Sequence, residues 1–242
     1  MIKGLSAELI QQKEHQQWIN RFHEYRKKEE EKVIQDELNP KGDVLTMGEV
    51  IKYLNELTAG NAIVVTDVGQ HQMVTCRYAK MNITKSNITS GGLGTMGYAL
   101  PAAIGAAYGD PSRPTVAVIG DGGFQMTLQE LGTIMQFKPN VKILILNNNF
   151  LGMVRQWQQL FHQNRYSFVD ITSPDFVQVA KGFGIPGSSV NNREDLKKAL
   201  KTMLDNDGSY LLEVMVGKEN NVFPMVPQGR GVAEIVLSAE EV

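Results

Sequence analysis

Two short segments combine residue types that can hold a divalent metal and a phosphate. Gly120-Asp121-Gly122-Gly123 ends the apolar run TVAVIG, and Asn147-Asn148-Asn149 ends the apolar run VKILILN. Between Gly122 and Asn147 lie 24 residues, enough for one helix and one strand. Consecutive parallel strands are commonly neighbours, so this interval can bring Asp121 and Asn148 to one edge of a sheet. A carboxylate and an amide oxygen are hard donors, suited to Mg²⁺ or Ca²⁺ and not to zinc. Mg²⁺ takes about six oxygens and draws several from phosphate or water, so two or three protein ligands suffice. The glycines allow close approach of a phosphate and leave backbone N–H groups free to donate. Either segment alone reads as well as a turn or a cap. Together, each closing a buried strand at this interval, they form a rarer constellation.

Two further segments could serve the same ligand. Gly69-Gln70-His71 ends AIVVTDVG, and a histidine opening a helix there could donate to an anion. SGGLGTMGYALPAAIGAA (90–107) is Gly-rich and opens a helix. Its spacing is Gly-x-x-Gly over 94–97, not Gly-x-Gly-x-x-Gly, and the next acid, Asp110, stands in a Pro-Ser turn. A dinucleotide loop wants an acid about 20 residues on, closing a second strand, so that reading is weak.

The elements that must position these residues alternate. Thr46 with Glu49 predicts a capped helix to about Leu57, closed by Gly60. Strands follow over 62–69, 115–120, 141–147 and 210–216, with helices over 97–109, 173–184 and 192–206, and Thr127 with Glu130 predicts a capped helix after the Gly-Asp-Gly segment. Such alternation implies an α/β fold, a doubly wound and mostly parallel sheet with helices on both faces. Ligands of such sheets bind beyond the carboxyl ends of the strands, where these segments fall. Residues 1–42 differ: they are rich in Gln, Glu and Lys, place Trp18, Phe22 and Tyr25 on one helical face, and end at Asn39-Pro40-Lys41-Gly42. They read as a helical arm packed on a neighbouring domain or subunit, ahead of a domain spanning 43–242.

A net charge of −2 gives no reason to expect nucleic acid or an anionic membrane as partner. The single cysteine, Cys76, excludes an intrachain disulfide and suits a reducing compartment. No apolar run approaches the roughly 20 residues of a membrane span, and the N-terminus does not read as a signal peptide.

The paired segments resemble the thiamine diphosphate motif, Gly-Asp-Gly followed by Asn-Asn. Over about 43–227 the chain is similar to the C-terminal cofactor domain of acetolactate synthase (acetohydroxyacid synthase) catalytic subunits. The stretches that carry the likeness are VGQHQM, SGGLGTMGYALPAAIGA, GDGGFQMTLQELGTI, LNNNFLGMVRQWQQLF and VFPMVP. The resemblance implies Asp121, the Asn148 side chain and the Phe150 main-chain carbonyl as ligands of Mg²⁺. It assigns the Gly122 and Gly123 amides, with Gly69, Gln70 and His71, to the diphosphate. Gly94 and Met96 would meet the aminopyrimidine, with Met96 propping the bent cofactor. Val68, Leu93, Gly120, Gly152, Met153 and Val154 would complete the walls. Trp157, at the end of LGMVRQW, would shape the acceptor pocket, as in the biosynthetic members.

The implied activity is decarboxylation of pyruvate and joining of its two-carbon unit to a second 2-keto acid, in branched-chain amino-acid biosynthesis. Relatives draw an activating Glu from an N-terminal domain of the partner subunit and carry FAD in a middle domain. Residues 1–242 resemble neither. The expectation is therefore a piece of a larger, oligomeric enzyme, dimeric or higher, inactive alone and open to a regulatory subunit. Its place would be the cytoplasm, or the stroma or matrix of an organelle. Two alternatives stay open: another thiamine diphosphate-dependent decarboxylase, oxidase or carboligase, and a stand-alone cofactor-binding module without turnover.

Overall fold

Six strands, short and mostly apolar, form the centre of the molecule: β1 (Ile63–Thr66), β2 (Asn87–Thr89), β3 (Thr115–Gly120), β4 (Val141–Asn147), β5 (Gly187–Val190) and β6 (Tyr210–Met215). The computed structural model describes residues 15–242. The sheet order is β2-β1-β3-β4-β6-β5, and every pairing is parallel. Side chains alternate across it, as the pleat requires. Val64, Val116, Val118, Leu144, Leu146, Leu212 and Val214 face one core with α3 (Met47–Thr58), α4 (Gln70–Tyr78) and α10 (Arg193–Asp205). Ile63, Val65, Ala117, Ile119, Ile143, Ile145 and Leu211 face a second core with α5 (Ala99–Gly109), α6 (Asp121–Thr127), α7 (Leu131–Phe137) and α9 (Phe176–Gly182). Both faces are covered, which explains why the central strands read as continuous apolar runs.

The chain leaves β1 toward the edge strand β2 and returns to β3 on the other side of β1. The connections after β1 and β3 therefore diverge, opening a crevice at the carboxyl ends of these strands.

The capping expectations fare differently. Thr46 does cap α3, its hydroxyl accepting from the Glu49 N–H at 3.2 Å. The Glu49 carboxylate, however, pairs with Arg193 Nε at 2.6 Å. The Thr127–Glu130 cap is corrected. α6 begins at Asp121 itself, directly off β3, and Thr127 is its last residue. The Thr127 hydroxyl donates instead to the Gly97 carbonyl at 2.9 Å, and Glu130 accepts from the Thr133 hydroxyl at 2.7 Å. A 3₁₀ turn, Leu128–Glu130, then leads into α7. The strands β2 and β5 escape a hydropathy reading because they are short, flanking edges made of Asn, Thr, Gly and Ser as much as of apolar residues.

Residues 16–38 are helical, as α1 (Gln16–Glu29), a π-helical stretch (Glu30–Ile34) and α2 (Gln35–Leu38). Trp18, Phe22 and Tyr25 are more than half exposed. The expected arm is thus helical over its described part, and residues 1–14 of it lie outside the described residues. Its C-terminal end is tied to the domain: Thr46 Oγ1 donates to the Glu37 carbonyl at 2.5 Å, and Gly48 N donates to Glu37 Oε1 at 2.7 Å.

Candidate cofactor site

An open cleft of about 560 Å³ lies at the carboxyl ends of β1, β3 and β4. After β1 it is lined by Val68, Gly69, Gln70 and His71; after β3 by Gly120, Asp121, Gly122 and Gly123; after β4 by Asn148, Phe150, Leu151 and then Gly152, Met153 and Val154 of α8 (Gly152–Phe161). Met96, from the Gly-rich segment before α5, closes one side. Four stretches far apart in sequence meet at one place because the crossovers return each strand end to the same edge of the sheet.

Among the residues expected here, only Gly94, Leu93 and Trp157 are not in the lining. Gly94 holds a left-handed φ of 61° and donates its N–H to the Ser90 carbonyl at 3.1 Å. Leu93 is 93% exposed, and Trp157 is 39% exposed on α8, its ring 4.8 Å from that of Phe161. Met47, Leu146 and Leu151 line the cleft without having been expected. Met47 opens α3, far from any motif, and only the packing of that helix on the sheet brings it there.

Asp121 is buried at the first turn of α6. Burial raises its carboxyl from the ordinary 3.8 to about 6, against the lowering effects of its own amide, the Ser173 hydroxyl at 3.3 Å, the Gly122 amide and the nearby His71. Asn148 is also buried: its Oδ1 accepts from Phe150 N at 3.2 Å, and its Nδ2 points to Gln70 Oε1 at 3.4 Å. Asn149 turns the chain with a φ of 55°. Gln70 Nε2 continues the network to Gln156 Oε1 and to the Asn220 carbonyl, both at 2.8 Å. Arg155, wholly buried, donates to that same carbonyl at 2.6 Å and to Asn221 Oδ1 at 2.9 Å. The segment after β6 is thereby fastened to α8 behind the cleft. The glycines are closely packed: a Cβ on Gly152 would displace the Gln70 amide, and one on Gly122, 2.9 Å from Leu151 Cδ2, would displace the Leu151 side chain.

These donors suit a hard cation with phosphate. One carboxylate, one amide oxygen and backbone carbonyls match Mg²⁺, which completes its shell from water and phosphate. A carboxyl raised by desolvation gains most when a cation restores its charge balance. Among the described residues, no group of three or more His, Cys, Asp or Glu could hold a metal ion. The residues opening α6, Asp121, Gly122 and Gly123, line the cleft, at the helix end where negative charge is favoured. Among the described residues, no Glu lines the cleft.

Residues 67–214, more than half of the chain, match the family described as thiamine pyrophosphate enzyme, C-terminal TPP binding domain. The chain belongs to this family. Its relatives within it include the acetolactate synthase isozyme 2 large subunit of Escherichia coli (strain K12), 44% identical over 81% of this chain and 36% of that protein. Acetolactate synthase 1, chloroplastic, of Nicotiana tabacum is 39% identical over 99% of this chain and 37% of its own length. The chain thus spans about a third of the length of these curated relatives. Among solved structures, the Rhodococcus jostii RHA1 thiamine diphosphate-dependent 4-hydroxybenzoylformate decarboxylase superposes with a TM-score of 0.67 at 28% identity, covering 73% of this chain and 33% of that one. The match makes this a thiamine pyrophosphate-binding domain, similar to part of acetolactate synthase large subunits. Among the described residues, no helix is long and apolar enough to cross a membrane.

Proposed function

We propose that this domain belongs to a Mg²⁺-dependent carboligase of the acetolactate synthase type, which decarboxylates pyruvate and joins its two-carbon unit to a second 2-keto acid in branched-chain amino-acid biosynthesis. The observation that carries this reading is the cleft itself, where Asp121, Asn148 and Phe150 meet the glycines that open α6. The acetolactate synthase relatives support the choice of reaction.

In this reading Asp121 Oδ, Asn148 Oδ1 and the Phe150 carbonyl hold the metal. The Gly122 and Gly123 amides, with Gln70 and His71, hold the diphosphate. Met96 supports the pyrimidine from the side of the Gly-rich loop, and Val68, Met153 and Val154 exclude water from the rings. Bound thiamine diphosphate supplies the carbon nucleophile and the electron sink for decarboxylation. The chain's own task is to fix that group and keep its surroundings apolar, which favours loss of a charged carboxylate. Trp157, half-exposed one turn beyond Val154, would face the acceptor. The acid–base carboxylate comes from elsewhere: Glu49 is held by Arg193, Glu130 by Thr133, and neither lines the cleft. A further domain supplies it, from the same polypeptide or from a second subunit of a homo-oligomer, and FAD belongs to that larger assembly.

Calorimetry of the chain with thiamine diphosphate tests the first half of this reading. Binding should require Mg²⁺ and vanish in Asp121→Ala with the fold retained. Unchanged affinity would remove Asp121 from the site. Acetolactate formation from pyruvate tests the second half. The chain alone should be nearly inactive, since a positioned acid or base contributes about 10² to 10⁴ in rate, and an added N-terminal half should restore turnover. Cofactor binding without turnover in the assembled protein would favour a binding module instead.

A further inference from the structure

Between α8 and α9 the chain passes alongside the proposed metal site in a short segment, residues 169–173, which none of the roles above uses. It pairs with the loop after β4 through an antiparallel bridge between Phe150 and Asp170. Leu151 N donates to the Val169 carbonyl at 2.8 Å, and Ile171 N donates to the Asn149 carbonyl at 3.1 Å. The Phe150–Leu151 peptide is trans, and the N–H and C=O of a planar trans peptide point in opposite directions. With the Leu151 N–H spent on Val169, the Phe150 carbonyl is turned away from the segment. Ile171 packs on the start of α6, its Cδ1 3.2 Å from where a Cβ on Gly122 would stand. Ser173 completes the span: its hydroxyl donates to Asp121 Oδ2 at 3.3 Å. Asp170, the one acid of the segment, pairs with Lys218 at 3.3 Å instead.

We infer that residues 169–173 set the geometry of the metal site, with Ser173 as the positioning residue that fixes the Asp121 carboxylate. Ser173 precedes Pro174, and a residue before proline is held to extended backbone, so the hydroxyl is offered from a fixed point. A serine hydroxyl has one proton to donate, and an ionised carboxylate can only accept it. That bond holds Oδ2 and limits the directions from which the carboxylate can meet a cation, as partners of metal ligands commonly do. The same segment aims the Phe150 carbonyl by way of Leu151, so one short stretch holds two of the three proposed ligands. Fixed geometry matters unequally to the two hard cations. Mg²⁺ demands a near-ideal octahedron at about 2.0–2.1 Å, whereas Ca²⁺ tolerates irregular shells at about 2.3–2.6 Å. This inference rests on the proposed metal role of Asp121 and Phe150.

Threonine and valine at position 173 test it. Their side chains have nearly the same shape and both suit extended backbone, but only threonine keeps the hydroxyl. Calorimetry of the 242-residue chain with thiamine diphosphate and Mg²⁺ should find Ser173→Thr within about twofold of wild type. Ser173→Val should bind about three- to tenfold more weakly, the range of one net hydrogen bond. With Ca²⁺ in place of Mg²⁺, the valine variant should lose less than about twofold. A contact that merely stabilised the fold would separate the two variants in metal-free urea unfolding and leave their affinities alike. Equal affinities of the two variants in Mg²⁺, or an equally large loss in Ca²⁺, overturn the inference. Should Ser173→Val not fold, Ser173→Ala takes its place by the same criteria. No binding of thiamine diphosphate by the wild type would take down the proposed function and this inference together. Mg²⁺-dependent binding that vanishes in Asp121→Ala but is indifferent to the residue at 173 refutes only the inference.

Discussion

Asp121→Asn should make the metal-free chain more stable at neutral pH while abolishing Mg²⁺-dependent cofactor binding. The carboxyl is buried, and desolvation raises it from 3.8 to about 6. Its folded value lies above its unfolded value, so the stability it contributes is complete below about pH 4 and is lost as pH rises through about 6. The interval from 3.8 to about 6, at about 1.4 kcal/mol per pH unit, is about 3 kcal/mol, the cost of keeping the ionised group buried without a cation. Asparagine keeps the shape and can still accept from Ser173, but it never ionises. Urea unfolding in a chelating buffer should show the two proteins nearly equal at pH 4, with the variant ahead by up to about 3 kcal/mol at pH 7.5. With Mg²⁺ and thiamine diphosphate added, the order should reverse, because only the wild type gains binding free energy. Stability exchanged for function in this way is common at active sites. A variant less stable than wild type at pH 7.5 without metal would refute the reasoning, since Asp121 would then be a structural acceptor and not a strained ligand.

Three other outcomes follow from particular contacts. Gly152→Ala places a methyl against Gln70 Oε1 and 2.8 Å from Asn148 Nδ2; calorimetry should show at least a tenfold loss of Mg²⁺-dependent cofactor affinity, while unfolding stability changes by about 1–3 kcal/mol, the usual scale of overpacking. Glu37→Gln should raise the melting temperature at pH 8.5 and change it little at pH 5. Burial lifts that carboxyl to about 7, so its contribution is present at low pH and lost through about 7, while an amide oxygen still accepts from Gly48 N. Under the proposed carboligase function, Trp157→Leu in the protein supplied with an N-terminal half should lower any preference for 2-ketobutyrate over pyruvate as acceptor by about 10- to 100-fold, as product ratios would report.

The central strands, their parallel pairing and the meeting of Asp121 and Asn148 at one cleft were legible in the sequence. Buried strands must be apolar, and residues with special backbone or ligand demands must follow them at the strand ends, so composition and position point to the same places. Local hydrogen bonds were legible only in part. Thr46 caps α3 as its spacing predicts, yet the same signature at Thr127 and Glu130 misleads, because Gly97 and Thr133 offer those side chains other partners. Edge strands β2 and β5 carry too few apolar residues to announce themselves; their pairing with β1 and β6 makes them strands. What only the tertiary structure decided is which distant groups share the cleft. Met47 reaches it because α3 packs on the sheet, and Arg155 is buried because the segment at Asn220 and Asn221 folds back over α8. Asp67 in the sequence is one more acid at a strand end. It acquires its two partners through the fold: α4 turns His71 back over it, and the return of the chain to β3 lays Gly97 beside it. Hydrophobic periodicity is a local property and fixes elements, whereas the environment of a buried charge depends on every element packed around it.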